Sequence, residues 1–314
     1  MIFLLRRFVV LLCTLASVSF LVFLIPYLTP GDPARKILQA RTGELNLDPS
    51  AVEAARVRYG LDKPVIEQYW NWGQNALHGD LGLSYTSRTQ VSDLVGSALA
   101  VTTSLAVAAL FIALVAALPL GSLAAIRRGK ASDIAITTVT QGFVALPEYW
   151  VAPMLVLVFA LKLGILPSAG WTGPASMILP AVTLSLRPLS YFTQVTRASM
   201  VDVLESPHLT AARSRGLSFA QAMLRHGLRN GLLPVVTLFS IWLAGLLGGS
   251  VVIEVIFAVP GMGRLLYQAV TDGDVPVIQA GIVCIVALTV LITTLTDLLY
   301  ALINPTVRSS NVSR

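Results

Sequence analysis

Residues 98–125 read ALAVTTSLAVAALFIALVAALPLGSLAA, 28 positions without a charged side chain. The run ends against Arg127, Arg128 and Lys130. About 20 apolar residues in a helix cross the hydrocarbon of a bilayer, so this run is long enough to span it with tilt. Strands of a membrane barrel are about half as long and alternate apolar with polar positions, unlike this run. In lipid its backbone polar groups find partners within the segment only as a helix. The expected fold class is an all-α polytopic membrane protein.

The pattern recurs outward from that stretch. Further apolar runs lie at 8–27, 134–161, 177–198, 231–253 and 277–303, and six transmembrane helices are expected. Of 314 residues, 55% are apolar and 12% charged, the latter about half the share in a soluble domain. The net charge of +6 would suit nucleic acid, but the basic residues are dispersed in short connections, so no nucleic-acid partner is expected. Arg6 and Arg7 open the first run as in a secretory signal. The run exceeds the apolar core of about 7–15 residues in such signals, however, and passes without a small-x-small site into Thr29-Pro30-Gly31-Asp32-Pro33, so it reads as a retained helix. Cys13 and Cys284 lie within apolar runs and read as small apolar groups.

Loop charges supply an orientation. Arg6, Arg7, Arg127, Arg128, Lys130, Arg197, Arg213, Arg215, Arg225, Arg229, Arg308 and Arg314 fall on one side of a six-span chain. The opposite short loops hold Lys162 and Arg264. The positive-inside tendency puts both termini and the 199–230 connection in the cytoplasm. The expected organisation is an N-terminal transmembrane helix at 1–29, an external segment with short helices at 30–95, a five-helix core at 96–303 and a cytoplasmic tail at 304–314. In the external segment, Asp48-Pro49-Ser50 caps a helix over 47–59. A second helix over 61–77 carries Pro64 in its first turn and offers Ile66, Tyr69, Trp70 and Trp72 to an interface.

Ionisable residues at membrane depth are costly and face a cavity or the bundle interior. Arg187 stands in the middle of the fourth run beside Pro188, which removes a helix hydrogen bond. It reads either as a cation that meets substrate carboxylates or as a snorkelled or carbonyl-bound arginine. Gln194, seven residues on, shares its face. Glu148, after Pro147, and Glu254, at the end of the fifth run, are further candidates for a pathway. Asp297 reads as a helix-to-helix hydrogen-bonding group. No regular series of acids suggests a proton relay.

The connection 202–230 is longer than a turn. A helix beginning at Ser206 with Pro207 at its first position carries Leu204, His208, Ala211, Ala212 and Arg215 at spacings of three and four, and Gly216 ends it. A second helical segment, 219–229, sets Arg225 and Arg229 on one side. Such an element docks a soluble partner or rests on anionic lipid.

Across Pro30-Gly31-Asp32-Pro33, Leu61-Asp62-Lys63-Pro64, His78-Gly79-Asp80-Leu81-Gly82, His226-Gly227-Leu228-Arg229-Asn230, Pro260-Gly261-Met262-Gly263 and Asn304-Pro305, the chain resembles the inner-membrane permeases of bacterial ABC importers for dipeptides, oligopeptides and nickel, on their DppB/OppB-like side. Thr210-Ala211-Ala212-x-x-x-Gly216 matches the spacing of that family's EAA loop, with Thr210 in place of the glutamate. The resemblance implies a type I importer permease, one wrapping helix plus a five-helix core. It implies docking on an ATPase through Leu204, Pro207, His208, Thr210, Ala211, Ala212, Arg213, Arg215 and Gly216. The implied partners are a second permease, two ATPase subunits that bind ATP and Mg, an extracytoplasmic solute-binding protein and a peptide substrate, with a nickel chelate as the alternative. An apolar residue would be expected at position 187 in similar proteins.

No catalytic constellation accompanies this. Arg128-Gly129-Lys130-Ala131 lacks the first glycine and the hydroxyl of a phosphate loop. His78, His208 and His226 have no metal-motif spacing, and there is no nucleophile elbow. The chain therefore reads as a noncatalytic subunit that binds no cofactor or metal of its own. A non-transporting structural subunit is the rival reading. A secondary transporter would need two repeated halves and interrupted ion-binding helices, and the polar segment after the first run breaks such a repeat.

Overall fold

The computed structural model describes residues 2–28, 30–44, 46–207, 211, 214–218, 221 and 233–303, without the side chains of 2–7, 233, 297 and 299–303. Among these residues the regular elements are helical, apart from one antiparallel bridge between Leu83 and Gln90. In chain order they are α1 (Ile2–Phe23), α2 (Ile25–Leu28), α3 (Pro33–Thr42), α4 (Pro49–Arg58), α5 (Val65–Leu77), α6 (Val91–Ile126), α7 (Ala131–Ala145) and α8 (Glu148–Leu155). A π-helical stretch, Val156–Lys162, continues α8. Then come α9 (Pro174–Leu204), α10 (Leu233–Gly249), α11 (Val251–Ile256), α12 (Met262–Asp272) and α13 (Val275–Ile303).

The expectation of six transmembrane helices is corrected by these elements. Among the described residues two helices, Val91–Ile126 and Val275–Thr296, are long and apolar enough to cross a membrane, and up to three if a bent pair is one span. The other runs fail for separate reasons. The run 134–161 breaks at Leu146-Pro147, where both residues are extended (ψ 121° and 131°), and the helices on either side meet at 99°. A residue before proline is pushed out of the helical region by the pyrrolidine ring, which accounts for the break. The fourth run becomes α9, long enough but diluted by Thr183, Ser185, Arg187, Ser190, Thr193, Gln194, Thr196 and Arg197. The apolar parts of α1 and α10 are short, Phe8–Phe23 and Pro234–Gly249; α10 stops at Ser250, where α11 begins. The division into one wrapping helix and a five-helix core rested on the count of six and falls with it.

The chain forms two compact units, Met1–Thr102 with Pro260–Val290, and Thr103–Val259 with Leu291–Arg314. In the first, Asp32 and Asp48 cap α3 and α4. Each carboxylate accepts the amide two residues on, at 3.3 Å, and a proline occupies the first helical position. Helix α5 starts at Val65, with Pro64 as its cap rather than within its first turn. Tyr69 and Trp72 pack against Phe23 of α1, whereas Ile66 and Trp70 remain exposed. The core joins Val91, Val95 and Ala98 of α6 to Met262 and Ala269 of α12 and to Val277 and Ile278 of α13. Thr102 accepts the Met262 amide at 2.7 Å. Asp274, 2% exposed, holds the 84–86 segment: Ser84 and Thr86 donate their hydroxyls to its carboxylate, and the Tyr85 and Thr86 amides donate as well.

In the second unit α9 is the central element. Leu184 and Phe192 are buried, as are Leu105 and Leu110 of α6 and Leu247 of α10. Gly121 of α6 lies against the backbone of α9: a Cβ there would stand 2.6 Å from the Thr193 carbonyl oxygen and 2.7 Å from Thr196 Cβ. The Gly170 amide donates to the Phe257 carbonyl at 2.8 Å, fixing the loop before α9.

Candidate functional site

Helix α9 is buried on most of its circumference. Thr183, Leu184, Ser185, Pro188, Leu189, Ser190, Phe192, Thr193 and Thr196 all face inward. Arg187 and Tyr191, one turn apart, are exposed, and Gln194 is half-buried. The helical repeat puts these three on one stripe. Pro188 has no amide to give the Leu184 carbonyl, so the backbone beside Arg187 is a hydrogen bond short.

Glu148 reaches this stripe from α8. Proline at 147 sets the sharp entry into the helix and leaves Glu148 as its first residue, where a carboxylate is favoured by the unpaired amides of the first turn. Its Oε1 stands 3.7 Å from Arg187 Nε, with 25% of the Glu148 side chain and 45% of the Arg187 side chain exposed. That separation is an ion pair without a hydrogen bond. Tyr191 packs on Trp242 of α10 with ring centroids 5.4 Å apart. Gln194 donates to Ser190 Oγ at 3.3 Å. Two of the pathway candidates, Glu148 and Arg187, are thus brought together, and Gln194 shares their helix. Glu254 stands apart in α11: fully buried, it accepts the Ser250 hydroxyl at 2.7 Å. The side chain of Asp297 lies outside the described residues.

At the other end of α9 the structure reveals a contact that spacing alone did not predict. Asp133, 4% exposed in the first turn of α7, accepts Arg197 Nε at 2.6 Å and Nη2 at 2.7 Å. The Gly129 amide donates to the same carboxylate at 2.9 Å. Arg128 pairs with Glu205, the cap of α9, at 2.7 Å. The available signal was an acid opening one apolar run and a base closing the next.

Beyond Leu204 the chain turns at Glu205 and Ser206, and Pro207 is helical, as are Ala211 and Ser214. Arg215 Nε donates to the Ala211 carbonyl at 3.3 Å. Gly216 has φ +89°, a conformation that side chains bearing a Cβ rarely adopt. His208, Thr210, Ala212 and Arg213 lie outside the described residues, as does nearly all of 219–229.

Among the described residues two helices, or up to three if a bent pair is one span, are long and apolar enough to cross a membrane, which defines a membrane protein. Residues 117–309 match the family described as binding-protein-dependent transport system inner membrane component, and residues 1–106 match its N-terminal counterpart. The glutathione transport system permease protein GsiC of Escherichia coli O6:H1 (strain CFT073) is 38% identical over 306 residues, 98% of each chain. The same protein of Shigella boydii serotype 4 (strain Sb227) is 37% identical over the same share. The chain belongs to this family of inner-membrane transport components. It is a noncatalytic, multi-pass permease subunit of an ABC importer, acting with a binding protein and an ATPase. Its fold is similar to a chain of the inward-facing MetNI methionine ABC transporter, with a TM-score of 0.55 at 21% identity, covering 67% of this chain and 96% of that one. A chain of an amino acid ABC transporter solved with histidines gives 0.51 at 19%, covering 67% and 94%.

Proposed function

We propose that this chain is the permease of an importer for short peptides of the glutathione kind. The observation that carries this reading is its 38% identity with a glutathione permease along 98% of both chains. Glutathione is itself a small peptide, so the reading stays on the peptide side of the dipeptide, oligopeptide and nickel group. The Glu148–Arg187 pair and Gln194 form the candidate contact surface for the passing ligand, with Glu254 a buried support. A second permease completes the pathway, two ATPases bind ATP and Mg beneath it, and a solute-binding protein delivers the peptide from outside.

Both termini and the basic 199–230 connection face the cytoplasm in this reading, with 30–95 outside. Leu204, Pro207, His208, Thr210, Ala211, Ala212, Arg213, Arg215 and Gly216 form the docking element for an ATPase. ATP-driven closure of the ATPases displaces it and opens the cavity outward; hydrolysis returns the cavity to the inside.

Gly216→Val tests the coupling. A β-branched residue at φ +89° carries strain of about 1–3 kcal/mol, enough to misplace the docking turn without disturbing insertion. In an assembled complex, peptide-stimulated ATP hydrolysis is expected to fall about tenfold. Wild-type stimulation in a fully assembled Gly216→Val complex would refute the assignment.

A further inference from the structure

We infer that Glu148 and Arg187 act together as a reader of an α-amino-acid head, an ammonium and a carboxylate on one carbon, such as the γ-glutamyl end of glutathione. This rests on the peptide reading above and specifies which end of the peptide the site takes.

Three observations carry it. The pair has no net charge, so it favours a ligand group that also has both signs and none net, whereas a lone arginine would select any anion. The pair is also loose. At 3.7 Å, with both side chains partly open, neither side chain makes a hydrogen bond among the described residues, so the arginine fork and both carboxylate oxygens are available to an incoming partner. A zwitterion lying antiparallel alongside the pair adds two charge-assisted contacts, Arg187 to carboxylate and Glu148 to ammonium. When the ligand leaves, the two side chains pair again, so no charge is stranded at membrane depth.

Spacing then selects among zwitterions. Within one residue the amino nitrogen and carboxyl carbon are two bonds apart, about 2.5 Å, whereas each further residue of an α-linked peptide adds up to about 3.5 Å between the termini. Groups 3.7 Å apart, met side by side, match the first separation. A γ-linked glutamate keeps its ammonium and α-carboxylate together on one carbon; an α-linked glutamate spends that carboxylate in the peptide bond. Tyr191 stands one turn along the same stripe and packs on Trp242 at 5.4 Å.

The test compares two isomers, γ-Glu-Gly and α-Glu-Gly, which have the same atoms and net charge. Uptake is measured in vesicles holding the complete complex, with the binding protein saturated by each ligand. Arg187→Met and Glu148→Gln should each lower γ-Glu-Gly uptake about tenfold and α-Glu-Gly uptake by a clearly smaller factor, about two- to threefold. The exchanged double variant, Glu148→Arg with Arg187→Glu, keeps both charges and should recover part of the γ-selective uptake. It also guards against a single variant that fails to assemble. Equal losses for the two isomers, or no loss for either, would overturn the inference and leave the peptide reading standing. Import of neither isomer by the wild-type complex would overturn both.

Discussion

Gly121→Ala is expected to destabilise the second unit although it adds one methyl group. The new Cβ would stand 2.6 Å from the Thr193 carbonyl oxygen, 2.7 Å from Thr196 Cβ and 3.0 Å from its Cγ2. The first atom is helix backbone and the others belong to a β-branched side chain with little rotamer freedom, so the helices must move apart. Overpacking of this kind costs about 1–3 kcal/mol, here at the upper end. The better helix propensity of alanine returns roughly 1 kcal/mol, leaving a net loss of about 2. Gly142→Ala in α7, where nothing lies within 4 Å, should instead gain about 0.5–1 kcal/mol. Gly281→Ala is intermediate: its nearest atom is Leu266 Cδ2 at 2.7 Å, the end of a side chain that can swing. Thermal unfolding of the purified subunit in detergent, followed by tryptophan fluorescence, orders the three. Gly121→Ala should melt about 5 °C below wild type. A Gly121→Ala protein as stable as Gly142→Ala would refute the close approach of α6 to α9.

Two further outcomes follow from buried carboxylates. Arg197→Met leaves Asp133 with the Gly129 amide and the nearby Arg128 and, with Arg197 30% exposed, should cost about 1.5–2 kcal/mol in the same assay; Arg197→Lys should recover only part of this, because an ammonium cannot reproduce the two-pronged contact. Asp274→Ala removes an acceptor shared by Ser84, Tyr85 and Thr86 and should speed proteolysis within 82–90 at least tenfold, with little change at sites in the second unit.

Local chemistry was legible in the sequence where the cause is local. Asp48-Pro49 announces a capped helix, and it forms; Asp32-Pro33 caps α3 in the same way. The count of spans was not, because adding up apolar residues over 134–161 ignores what Leu146-Pro147 does to the backbone. A run can be apolar throughout and still turn through 99°. The partner of Arg187 was equally hidden: Glu148 lies 39 residues away, and a helical repeat relates positions on one helix, not positions on two that pack. Asp133 is an acid in the first turn of α7, and α9 brings Arg197 to it across 64 residues.

The carboxylate of Asp274 also bears on the order in which the protein is made. Ser84 and its acceptor are 190 residues apart, and at about 5–20 residues per second a ribosome needs roughly 10–40 s to deliver the second after the first. For that interval the 84–86 segment has been synthesised but its acceptor has not. The first unit is therefore finished by some of the last residues to emerge, and a nascent chain halted before position 274 lacks the acceptor that holds 84–86.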